Sequence, residues 1–462
     1  MSKLLSRVLA LVLAVSLTGM GLVVSHSKTS RAQRPGAARH LDRNQTVIAT
    51  TAEVLKETSK LRELPVLRPV RSGAQSRQEI ERMLVSKLNQ EVSRQEIHAI
   101  EQSLKKFGFV QSDFAYRPFI VGLLTEQVAG YYDPAARRFH LADWIDLDAQ
   151  KPVMAHELTH ALQDQHFNLR RFENWPRGDS DAQLAAHSLI EGDATLTMTH
   201  YLFKHPLLAA EFMRTFNSGS VSSEKFDKAP RSLRETLLFP YLQGIAWATQ
   251  VHQRGGFSAL SKAYSQLPES TEQILHAEKY FNRESPRTVR LSNFTNLLEG
   301  SKPQIATTRR RGKTTNPRSA IRNLKSPGWR QIETDVNGEW GYYLALDEFL
   351  KSPAESKRAA AGWGGDKYAL YEHSTTGDLF LVQVALWDTV EDAKEFFDAY
   401  VKRTALRYPE ATQEDKNAST ETIRRWQTRE GGVLIELRGT RVVILEGVPG
   451  NVSARDLASY IR

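Results

Sequence analysis

His156-Glu157-Leu158-Thr159-His160 sets two imidazoles around a carboxylate within one short stretch. On a helix of about 3.6 residues per turn, His156 and His160 lie one turn apart on one face. Both rings can then reach a single ion while Glu157 faces a bound water, which is the arrangement of a zinc hydrolase. Val153, Met154, Ala155, Leu158, Ala161 and Leu162 surround these polar residues, so the helix is expected to bury one side and turn both histidines into a pocket. Further on, His187-Ser-Leu-Ile-Glu191-Gly-Asp193-Ala offers a candidate third ligand in Glu191. It stands in a helical pattern of apolar and small residues, where a charge needs a partner. The chain has no cysteine, which excludes disulfide frameworks, thiol nucleophiles and thiolate ligands. Any Zn2+ must be held by His and carboxylate.

These residues resemble the zincin metallopeptidases, specifically the gluzincin type, in which HExxH on one helix is completed by a Glu on a following helix. The resemblance covers roughly residues 128–200. It implies His156, His160 and Glu191 as zinc ligands, with Glu157 as general base and then proton shuttle to the leaving amine. It also implies a nearby donor for the oxyanion. Thr195 stands where gluzincins commonly place an Asp that orients a ligand His, and Asp193 is the candidate substitute. His187, one turn before Glu191, is a ligand, a group that supports one, or an ordinary polar residue, the last two being preferred. Oxyanion candidates are Tyr131, Tyr132, Tyr241, Arg234 and His276. Phe139, His140 and Leu141, on a strand ahead of the metal helix, are expected to pair with extended substrate. The metzincin pattern HExxHxxGxxH competes, since His166 has the required spacing. Gln163 replaces the glycine that lets the chain turn there, so the helix should run on and carry His166 away.

The surrounding elements follow from pattern. Ser-Arg-Gln-Glu-Ile occurs at Ser76 and again at Ser93, each a capping box opening a helix. Pro118–Val128 reads as a further helix, and Gly130–Leu141 as a hairpin turning at Asp133-Pro134. From Pro152 to Tyr280 the pattern is helical, with Leu233–Phe239 and Tyr241–Gln253 read as separate helices around Pro240. Beyond residue 326, Tyr368–His373, Leu379–Trp387, Thr422–Thr428, Val433–Arg438 and Arg441–Glu446 read as strands, and Val390–Leu406 and Ala454–Ile461 as helices. The expected class is α+β. A mainly helical zincin-like domain (76–300) with a small hairpin or sheet precedes a smaller α+β domain (326–462) whose strands are largely antiparallel. Residues 33–75 are an N-terminal lead or a prosegment.

Lys3 and Arg7, an apolar run Val8–Val24 and the small residues around Ala32 read as a signal peptide over 1–32, with an uncleaved membrane anchor as the alternative. Either places the folded part outside the cytoplasm. The net charge of +9 is concentrated: 1–32 holds four basic residues, and 301–332 holds nine with no acid, leaving about −4 for the remainder. The basicity is therefore one local segment, more often a solvated linker than a nucleic-acid groove. It makes 301–325 a basic linker with weak affinity for anionic membrane surfaces.

The expectation is an exported zinc peptidase acting on peptide or protein substrates. The alternatives are a non-catalytic metal-binding envelope protein and a zinc amidohydrolase acting on cell-wall peptides.

Overall fold

The computed structural model describes residues 37–127, 130–144, 146–172, 176, 178–217, 224–300, 328–413 and 422–461. The expected signal peptide and the whole basic linker, 301–325, lie outside these. Among the described residues no helix is long and apolar enough to cross a membrane. The chain divides into two compact units, Met1–Glu101 with Phe109–Ser285, and Gln102–Gly108 with Pro286–Arg462. The first is mainly helical with a small mixed three-stranded sheet; the second is α+β with a seven-stranded antiparallel sheet.

The first unit opens with α1 (Ala37–Arg62) and β1 (Arg71–Gln75), followed by α2 (Arg77–Glu91) and α3 (Arg94–Phe107), whose residues from Gln102 on belong to the second unit. At both starts the expected capping boxes form: the Ser76 N–H donates to Glu79 at 2.8 Å and the Ser93 N–H to Glu96 at 2.9 Å. Next come α4 (Tyr116–Gln127), the hairpin β2 (Gly130–Asp133) and β3 (Arg138–Ala142), and α5 (Lys151–Phe167), which carries HExxH. Asp133 makes the hairpin turn by accepting from the Ala135 and Ala136 N–H groups at 2.9 and 3.1 Å.

β1 pairs in parallel with β3 over 71–75 and 138–142, while β2 pairs antiparallel on its other side. Of the lead, residues 37–75 are therefore built into the unit. Val47, Val54 and Leu55 of α1 share one core with Tyr132, Phe139, Leu141 and the apolar side of α5.

α6 (Ser180–Lys204) carries Glu191 and packs on α9 (Arg231–Ala263); between them lie α7 (Pro206–Asn217) and α8 (Glu224–Asp227). α9 corrects the expectation of a break at Pro240, which stands inside a helix; the span is instead two helical stretches joined at a kink, with non-helical dihedrals at Gly255 and Gly256. An interior proline costs about 3 kcal/mol, and burial of Leu233, Leu237, Phe239, Trp247 and Ala248 along the helix offsets it. α6 and α9 cross at Gly192 and Gly244, where a Cβ on Gly192 would stand 2.2 Å from the Gly244 carbonyl oxygen.

In the second unit α12 (Thr295–Leu298) precedes β4 (Trp329–Asp335), α13 (Gly338–Leu350), α14 (Pro353–Ala360), β5 (Trp363–His373) and β6 (Leu379–Trp387). Then come α15 (Val390–Arg407), β7 (Thr412–Gln413), β8 (Ile423–Thr428), β9 (Gly431–Arg438), β10 (Arg441–Val448) and α16 (Ala454–Ser459). The strands lie in the order β4-β5-β6-β10-β9-β8-β7. The aromatic turn at Trp363 is a helix cap: Asp366 accepts from the Asn337 and Gly338 N–H groups and from the Trp363 indole, each at 3.0 Å.

A buried ion network sits on β10. Glu446 takes Arg403 at 3.1 Å, Arg407 at 2.9 Å and the Tyr400 hydroxyl at 2.6 Å. Burial alone would raise the Glu446 carboxyl, but Arg403, Arg407 and Lys106 outweigh it and hold it at about 2, against an ordinary 4.5. A depressed carboxyl contributes stability that is present above pH 4.5 and lost as pH falls towards 2. Unfolding midpoints between pH 7 and 2 should show that loss. Glu446→Gln should flatten this part of the profile while costing about 3–5 kcal/mol at neutral pH, because it leaves the buried guanidinium of Arg403 unpaired.

Candidate metal centre

α5 and α6 bring His156, His160 and Glu191 together. His156 Nε2 is 3.1 Å from Glu191 Oε2 and 3.1 Å from His160 Nε2, and His160 Nε2 is 3.5 Å from Glu191 Oε2. All three are at most 1% exposed. Ligands about 2.0–2.1 Å from a tetrahedral zinc stand about 3.3 Å from one another, so these separations fit. The donor set, two imidazole nitrogens and a carboxylate oxygen within 4.8 Å of one another, is also a zinc set.

The two imidazoles differ: burial lowers that of His156 despite its bond to Glu191. Burial would lower the His160 imidazole, but Glu191 and Glu157 raise it to about 9. Burial would likewise raise Glu191, but His160 and His156 hold it at about 2. Burial pushes Glu157 up to about 8. The Glu157 side chain is anchored at one oxygen only: Oε2 accepts from the Tyr132 N–H at 2.9 Å, and buried Oε1 has no hydrogen-bond partner among the described residues.

Residues 326–458 match a family model described as a domain of unknown function, DUF8575. That is less than half of the chain and lies within the second unit. Neither a curated protein nor a solved structure matches the chain. Any reading of the metal centre therefore rests on its own geometry.

The other expected residues divide. Asp193, 0% exposed, accepts from Gln163 Nε2 at 3.0 Å, and Gln163 in turn meets His160 Nδ1 at 2.8 Å. His187 is buried on α6, with Nδ1 on the Gln183 carbonyl at 2.8 Å and no partner for Nε2 among the described residues. Tyr241 stacks on His156 with centroids 6.2 Å apart. Tyr131 instead donates its hydroxyl to Gln75 at 2.9 Å and stacks on His140, and Tyr132 donates its hydroxyl to Asp164 at 2.9 Å. Arg234 donates to the Asp227 carbonyl at 3.1 Å, and His276 is exposed between α10 (Thr271–Leu275) and α11 (Ala277–Phe281). His166 stays on α5 and meets the Pro65 carbonyl at 2.8 Å, as an uninterrupted helix requires.

The substrate strand needs correction. Phe139, His140 and Leu141 lie on β3, the central strand, whose two edges are taken by β1 and β2. Phe139, His140 and Leu141 are each paired on both sides and offer no edge to an added strand. Arg62, Gln163 and Tyr264, which meet at Asp193, escaped sequence reasoning. The available signal was a glutamine on the buried face of α5, one turn beyond a ligand histidine.

Proposed function

We propose that the first unit is the catalytic part of an exported zinc-dependent peptidase of gluzincin type. The observation that carries this reading is the convergence of His156, His160 and Glu191 beside a buried carboxylate with one oxygen held and one free. A bound zinc would polarise the scissile carbonyl and make water acidic near neutral pH. Glu157 takes the proton from the attacking water on Oε1 and returns it to the leaving amine. The Tyr132 N–H fixes the orientation of Glu157.

Complete burial of the triad favours a second reading, a protein that holds metal without turning over substrate. A metal holder has no use for Glu157.

Metal analysis of the full chain tests the ligand set. Wild type and His166→Ala should carry one zinc per chain, and Glu191→Ala should lose it. The reverse pattern would favour the metzincin arrangement, and zinc-free wild type would end the peptidase reading.

A further inference from the structure

An amide and a buried ion pair orient His160. Gln163 Nε2 donates to Asp193 Oδ2 at 3.0 Å and to the Ile190 carbonyl at 3.1 Å. Both are acceptors only, so they fix the amide nitrogen on their side and leave its oxygen for His160 Nδ1, 2.8 Å away. An amide oxygen cannot donate. His160 Nδ1 must therefore carry a proton, which leaves Nε2 as the ligand atom facing His156 and Glu191.

Asp193 is held from behind. It accepts from Arg62 Nε at 2.5 Å and from the Tyr264 hydroxyl at 3.0 Å, and both terminal nitrogens of Arg62 reach Ser261 Oγ at 3.1 and 3.2 Å. Arg62, Gln163 and Asp193 are each 0% exposed.

We propose, resting on the reading that the triad holds a metal, that Arg62, Asp193 and Gln163 are positioning residues, a relay that fixes His160 in its metal-binding tautomer. A carboxylate placed directly on Nδ1 would add an anion to a pocket already holding Glu157 and Glu191. Here Arg62 neutralises Asp193, and the amide transmits its pull on the imidazole proton without being able to take that proton. The ligand is oriented and made more basic at no change in net charge.

The test is zinc affinity of the full chain by competition with a chromophoric chelator, alongside the unfolding midpoint in excess EDTA. Gln163→Leu removes the acceptor and should weaken zinc about 10–100-fold. Arg62→Lys keeps the buried charge without the guanidinium fork and should cost about threefold or more in zinc affinity; it carries the test if Gln163→Leu does not fold. A purely structural role would lower the EDTA midpoint and leave zinc affinity unchanged. Unchanged affinity in these variants overturns the relay. Zinc-free wild type overturns it together with the reading beneath it.

Discussion

Glu157→Gln should keep one zinc per chain and lose peptide hydrolysis by a factor on the order of 10²–10⁴, the usual contribution of a general base. The substitution is nearly isosteric, and the amide oxygen can still accept from the Tyr132 N–H that now anchors Oε2 at 2.9 Å. What disappears is the capacity to take a proton. Glu157 is absent from the converging triad, so the metal should stay. His160→Ala should lose both metal and hydrolysis, since it removes a ligand atom facing Glu191 and His156. Zinc content measured beside cleavage of a peptide library separates the two roles, and hydrolysis persisting in Glu157→Gln would sink the mechanism.

Gly192→Ala should be nearly as damaging without touching a ligand. Its Cβ would meet the Gly244 carbonyl oxygen at 2.2 Å and the carbonyl carbon at 2.4 Å. Both are backbone atoms, so no side chain can swing aside and α6 must move off α9. Overpacking of this kind costs about 1–3 kcal/mol or more. Because Glu191 is the preceding residue, the movement also displaces a ligand. The expected outcome is a lower unfolding midpoint together with weaker zinc binding. Gly244→Ala should match it, with a Cβ 2.4 Å from the Ser188 carbonyl oxygen. The two should not add, because either substitution already parts the same crossing. Gly450→Ala, with nothing within 4 Å of its Cβ, serves as the neutral control.

The features legible in the sequence are those written locally. Ser76 and Ser93 name their own caps three residues on, and Asp133 closes its own turn. His156 and His160 share a face through helical period alone. Glu191 could be singled out because a charge among buried small residues needs a partner. What stayed hidden depends on distant pairing. β1 is a short stretch, Arg-Ser-Gly-Ala-Gln, with no apolar alternation, and it is a strand because β3 lies beside it. α13 is buried on nearly every side and takes its cap from Asp366 on another element. Arg62 meets Asp193 across 131 positions. Gln163 was legible only as a missing glycine, whereas its role lies in the two acceptors that α6 presents to it.

On the peptidase reading, the parallel strand at 71–75 bears on whether the front of the chain could serve as a removable brake. In many secreted enzymes a leading segment is the brake, and cutting it away releases activity. Residues 37–75 are unfit for that part. Excising them would strip one edge from β3 and withdraw the guanidinium behind Asp193. The turn between, at Pro65–Leu67, is exposed to passing proteases. A cut there severs the chain between Arg62 and β1 and works against the assembled centre. On the peptidase reading, trimming at the front is a means of disposal, and any maturation step has to act elsewhere.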